Sequence, residues 1–343
     1  MTVLLMMKIL EFPSLYVSTG VFEESVSIPR GLSVLGGFID SENCQYAPEG
    51  HETMVTNHES ITLQVQVGAQ DAVISDIMIQ NQGLDGVNTV MSVLGDAEPG
   101  TLLLKNLTLL GFTGTPIGRS SQGLAVEDAR VEVVNNVIHA GESYNTTAIQ
   151  WNGTHGSFFH NTIHGGKARY RSVAFQIQRN LPISLINNVF LTEHLGDFTP
   201  PVFDSQCVID YRGEGWPLGS VAKGNFLKPI RLPESTEAPR YFCDIRDHQL
   251  FSLAEFNALD ESLTTIPDGT ISSNRTSTQT FAELFLDSTT NDFHLILGSS
   301  LLDAGIDPVS EGLSAPSITN DHDGQSRPHA EGERYDIGAY ELH

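Results

Sequence analysis

The densest run of basic side chains in this acidic chain is "HGGKARYRS", which places Lys167, Arg169, Tyr170 and Arg171 within a few residues of His164. A lyase acting on an acidic polysaccharide needs two things: a base, and a cation that neutralises the substrate carboxylate so that the neighbouring proton becomes acidic. Lys167 and Arg171 have the right chemistry, and Asp210 in "VIDYRG" offers a carboxylate. These three are the candidate catalytic residues. Hydrolysis would instead need two acids about 5 to 10 Å apart. Asp204, Asp210 and Glu214 are the nearest such group in sequence.

The elements that must position them read as a repeat. Six segments align on a polar residue: Asp76, Asn106, Asn136, Asn161, Asn188 and Asn225, at intervals of 30, 30, 25, 27 and 37 residues. Each is apolar and alternating, then polar, then apolar. Asn tolerates the left-handed conformation and hydrogen-bonds along its own ladder, so a stacked Asn at a sharp bend is expected. Strands of constant length joined by loops of variable length give an all-β chain, a right-handed parallel β-helix of about seven to nine coils with an irregular C-terminal excursion.

A second strand register, "LAVEDA", "AIQWNG", "AFQIQR" and "VIDYRG", alternates with period two. It turns Val126, Ile149 and Phe175 inward, and Glu127, Gln150, Gln176 and Asp210 outward, with Asn152, Gln178 and Arg212 at the next outward positions. A polar strip on one sheet face results. Glu127, Gln150, Asn152, Arg169, Tyr170, Gln176, Gln178, Arg212 and Trp216 are the candidate substrate-binding residues, with Tyr170 and Trp216 placed in loops where they can stack on sugar rings. Tyr144 and Tyr211 lie near the strip, and Trp151 falls at an inward position. His139 and His164, equivalent in successive coils, should stack at roughly the strand spacing of about 5 Å as part of an outward polar ladder.

Residues 1–229 form the coils in this reading. Residues 230–290 break the repeat, with one short helix where Ser252 and Glu255 make a capping pair in "SLAEFNAL". Residues 291–343 close the same domain. The acids of "NDHDGQSRP" do not match a calcium-binding loop, although calcium is the one cofactor they would suit. They read as a cap, with Asp323 and Arg327 partnered in a turn, Asp336 and Glu341 tying down the last strand, and Ile337, Ala339 and Tyr340 sealing the open end of the stack.

With 18 Lys plus Arg against 42 Asp plus Glu, the net charge of −24 argues against nucleic acid, which a basic surface recognises by releasing counterions. No run approaches the ~20 apolar residues of a membrane helix. The cysteines 44, 207 and 243 are too dispersed for a zinc motif; three buried thiols are the preferred reading, and a Cys207–Cys243 disulfide is the alternative.

Two further stretches carry a family likeness. "LYVSTGVFEESVSIPRGLSVLGGF", with Gly20, Phe22, Glu23, Glu24, Gly31, Gly36, Gly37 and Phe38, resembles the opening coil of bacterial β-helix proteins of the pectate-lyase-like superfamily. "DFHLILGSSLLDAGIDP", "DHDGQSRP" and "DIGAYEL" resemble the closing signature known as choice-of-anchor Q. The resemblance implies a secreted or cell-surface protein, with a polysaccharide or cell-surface glycan as partner. Such folds serve as binders, as lyases or hydrolases, and as adhesive scaffolds. Binding along the polar strip is the first expectation here, because no complete catalytic set assembles in the sequence.

Overall fold

The computed structural model describes residues 6–9, 13–38, 53–83, 86–96, 100–112, 120–179, 181–194, 207–212, 220–230, 240–244, 249–258, 271–311, 318–328 and 334–343. They build a parallel β-solenoid of about six turns. This is slightly fewer than the seven to nine expected.

Three faces stack in parallel. The first runs from Pro13–Ser18 to Ile271–Ser272, the second from Gly20–Glu23 to Phe226–Ile230, and the third from Val26–Ile28 to Arg240–Asp244. Met6–Ile9 adds an antiparallel strand at the first rung. Strand Thr162–Ile177 turns from the second face into the third without a break. The basic run around Lys167 is therefore strand and not the expected loop, and Tyr170 with it.

The bend between the first and second faces explains the Asn repeat and corrects its register. Asp76, Asn106, Asn135, His160, Asn187, Gly224 and Ser273 all have positive φ, and the residue after each bend turns into the corner. Asn136, Asn161, Asn188, Asn225 and Asn274 occupy that second column. Each of the first four donates its backbone N–H and its Nδ2 to Oδ1 of the next Asn at 2.9 to 3.2 Å. Asp76 and Asn106 belong one residue earlier, at the bend, where the left-handed backbone selects Asn and Asp. Leu107 holds their rung's place in the ladder and donates its N–H to Asn136 Oδ1 at 2.7 Å.

The repeat also re-enters the excursion. Arg240–Asp244 pairs with Cys207–Tyr211, Ile271–Ser272 pairs with Val221–Lys223, and Asn257 completes the ladder beyond Asn274 at 2.8 Å. Asn257 ends the helix Leu253–Asn257, opened by the Ser252 and Glu255 capping box. Phe256 of this helix is buried and stacks on Phe242 at 5.0 Å, so the helix closes the C-terminal end of the stack. Cys207 and Cys243 form a disulfide with Cα atoms 5.8 Å apart, which overturns the preferred reading of free thiols. Cys44 lies outside the described residues.

Inside the tube, Trp151 packs edge-on against Phe158 at 5.4 Å, and Phe158 against Phe175 at 4.9 Å. The indole needs its neighbours to be glycine: a Cβ at Gly153 or Gly156 would meet the Trp151 ring at 2.5 to 2.8 Å.

The closing segment does not seal an open end. The described residues among 281–311, 318–328 and 334–342 run as a strap along the second face and the adjoining bend. Leu284, Phe285, Phe293, Leu301, Ile337, Ala339 and Tyr340 share a core with the outward-facing Val137, Val189, Leu191 and Phe226. The bend residues hold the strap's backbone. Asn187 bonds both the N–H and the carbonyl of Ile306, at 2.9 and 2.7 Å, and His322 reaches Asn135 O at 2.7 Å. Arg327 pairs with Glu341 Oε2 at 3.4 Å and not with Asp323, whose partner is His294 at 2.6 Å. Asp336 accepts the N–H groups of Asp303 and Leu342, and Asp321 those of Asp323, Gln325 and Glu341. The tail acids serve backbone turns, because a buried carboxylate is stable only where donors meet it.

Candidate functional site

Outward positions of the third face form two adjacent columns. Gln150, Gln176 and Asp210 stand in register on successive rungs. Asn152, Gln178 and Arg212 follow two residues on. Glu127 is in register with Asn152, so it belongs to this second column, and Ala125 fills its rung of the first. The expected alignment of Glu127 with Gln150 was two residues off. Period-two alternation fixes which face a residue occupies and leaves such even-numbered slips open.

Side-chain hydrogen bonds form a ladder along the strip in two separate stretches. Thr89 Oγ1 donates to Gln122 Oε1 at 3.1 Å, and Gln122 Nε2 donates to Gln150 Oε1. Farther along, Gln178 Nε2 donates to Gln176 Oε1 at 3.1 Å, and Gln176 Nε2 to Asp210 Oδ2 at 2.8 Å. Gln122 was not anticipated. Lying three residues before Ala125 and in register with Thr147, it is out of phase with the period-two strip, so the alternation carried no signal for it.

Asp210 is the node of the strip. Its side chain is fully buried, and Oδ2 accepts from Arg171 Nη2, Gln176 Nε2 and Arg212 Nε, the last at 3.1 Å. Oδ1 has no hydrogen-bond partner among the described residues. Arg171 is mostly covered, while Arg212 is 40% exposed. One carboxylate thus organises two guanidinium groups.

Lys167 is not part of this node. Four residues of extended strand, roughly 13 Å, separate it from Arg171. Its ammonium lies 4.0 Å from Glu193, with Glu142 opposite it on the neighbouring strand. Burial, the larger influence, raises the Glu193 pKa against the opposing pull of Lys167. Arg169 is half-buried on the same strand. Tyr170 stacks on Tyr144 with ring centres 5.3 Å apart and planes 5° apart, an aromatic pair beside the Lys167 rung. Tyr211 is buried in the tube. Trp216, Asp204 and Glu214 lie outside the described residues.

His139 and His164 stack at 4.5 Å as the spacing implies, but they are not an exposed ladder. Both are buried under Phe281 and Phe293 of the strap. Among the described residues no group of three or more His, Cys, Asp or Glu converges on one point, so no calcium set is assembled there.

A parallel β-solenoid with a laddered polar face, a two-arginine node and a lateral strap is the class of protein these features define. Comparison with protein-family models, with curated proteins and with solved structures finds no match.

Proposed function

We propose that the protein is extracellular or surface-borne and binds a polysaccharide along the polar strip of the third face. The observation that carries this reading is the Arg171–Asp210–Arg212 node, set in line with the glutamine ladder. Amide side chains on successive rungs, Gln150 and Gln176 in one column and Asn152 and Gln178 in the next, recur at the ~4.8 Å strand spacing and suit the hydroxyls of a glycan chain, and the guanidinium of Arg212 supplies an anchor. The Cys207–Cys243 disulfide supports an oxidising compartment. Kinship with pectate-lyase-like proteins and the choice-of-anchor Q signature belongs to the same proposal, which the solenoid supports at the level of fold.

Binding without cleavage is favoured over lyase or hydrolase chemistry because Asp210 Oδ2 is shared among three donors, and Lys167 stands apart from Arg171. The test is titration of the full chain against a panel of neutral and acidic polysaccharides, with absorbance followed for unsaturated products. We expect binding without product. Arg212→Ala should weaken it by about tenfold or more, the cost of one charge-assisted hydrogen bond, and Lys167→Ala by less. Product formation would establish the lyase reading. Failure of every glycan to bind would leave the adhesive scaffold.

A further inference from the structure

Three histidines are buried among the described residues, His139, His160 and His164, and all three belong to the solenoid and lie beneath the strap. His139 and His164 each accept, at Nδ1, the N–H of the glycine two residues on, Gly141 and Gly166, at 2.9 Å. Their Nδ1 atoms therefore carry no proton, and the rings are neutral in the docked state. His160 receives Asn187 Nδ2 at Nε2, 3.2 Å away, and lies against the Arg327 guanidinium and the Tyr335 ring of the strap. A proton added at Nδ1 of His139 or His164 has no acceptor, whereas His160 Nδ1 already faces the Asp336 carbonyl at 3.3 Å. A proton on His160 would confront a fixed cation.

We propose that the strap is an acid-releasable layer: protons taken up by His139, His160 and His164 undock it from the second face while the coils beneath stay folded. This stands apart from the glycan reading, since the strap and the polar strip occupy different faces.

The charged groups around each ring favour this outcome. Lys167 faces the stacked pair, with Glu193 and Glu142 beside it, and Lys228 lies two rungs beyond His164 with Glu283 of the strap near it. Arg327 faces His160, with Glu341, Asp321 and Asp336 around Arg327. His322 packs on Thr108 and Asn135 at the far end of the strap. His294, within the strap, is raised to about 9, mainly by Asp323 and then by Asp292, and stays protonated throughout the acid range.

Burial lowers all three solenoid histidines, His139 to about 4 and the other two well below their ordinary value, with Lys167 and Arg327 adding to the effect. Undocked, the rings regain water and their pKa values rise toward the ordinary histidine value, while the stacked His139–His164 pair, 4.5 Å apart, resists taking up two protons at once. The undocked state therefore binds more protons below about pH 6.5, and docking is at full strength above it. Each proton taken up on undocking lowers the docking equilibrium about tenfold per pH unit as pH falls below about 6.5, so His160 and one ring of the stacked pair together give about a hundredfold per unit.

The full chain, followed by hydrogen exchange and mass spectrometry from about pH 7.5 to about pH 4.5 with intrinsic rates corrected, tests this. Strap peptides should lose protection with a slope near two protons, while strands such as Glu142–Asn152 keep theirs. The double variant His139→Asn, His164→Asn should reduce the slope to about one. Asn preserves the local bond, as Asn81 Oδ1 already accepts the Gly83 N–H at 2.8 Å. Loss of strap and coils in a single transition, a slope of about one or less in the native chain, or an unchanged slope in a folded double variant would each overturn the proposal. If the double variant does not fold at neutral pH, the native slope alone decides.

Discussion

Asn188 shows how much a single residue carries in this fold. Its side chain donates to Phe158 O at 2.8 Å and to Asn225 Oδ1, and accepts both the N–H and the Nδ2 of Asn161. Deleting it leaves several buried polar groups unpaired in a water-free corner, where each costs about 1 to 3 kcal/mol. We expect Asn188→Ala to destabilise the solenoid by about 3 kcal/mol or more in urea unfolding. Asn106→Ala, outside the ladder and bonded only to Asp76 among its neighbouring bend residues, should cost clearly less. The neighbouring bend residue His160 shows the same logic with a titratable group, since burial against Arg327 holds it neutral.

At the scale of elements, the helix Leu253–Asn257 does more than its five residues suggest. A solenoid end exposes open core and unpaired strand edges, and something must cover it. Phe256 fills the end of the tube against Phe242, and Asn257 terminates the ladder. Truncating a fully buried Phe costs about 3 to 5 kcal/mol. Because rungs stabilise chiefly their neighbours, Phe256→Ala should open the C-terminal rungs first. The readout is hydrogen exchange, with strand Arg240–Asp244 losing protection while Arg130–Val134 remains protected. The strap is a second such element, covering a flank instead of an end.

Across the whole molecule, the long-range ties fall where local structure is least able to hold the chain. The Cys207–Cys243 disulfide spans 36 residues next to the shortest rungs. Closing a loop of that length restricts the unfolded chain by about 4 kcal/mol on the chain-entropy view. Cys207→Ala with Cys243→Ala should therefore lower the unfolding free energy by a few kcal/mol, measured by denaturant titration. The glycan strip on the third face and the strap on the second are separate surfaces of one stack, so the His139, His164 double variant should leave glycan affinity unchanged.

Much of this architecture was legible in the sequence. Alternation in "AIQWNG", "AFQIQR" and "VIDYRG" determines which side chains face out, because a strand has a period of two whatever surrounds it. Asn and Asp at the bends, and Ser252 with Glu255 at the helix start, are local backbone chemistry and were readable for that reason. What the tertiary structure decided was everything set by pairing between distant segments. It moved Asp76 and Asn106 one place off the Asn ladder, shifted Glu127 by two residues, and made strand of the run around Lys167. It joined Cys207 to Cys243. Above all, it laid the acidic tail along the flank, over His139, His160 and His164. The residues that receive the tail lie some 120 to 190 positions away, as Asn187 and Ile306 or Asn135 and His322 show, and no local pattern encodes a contact at that distance.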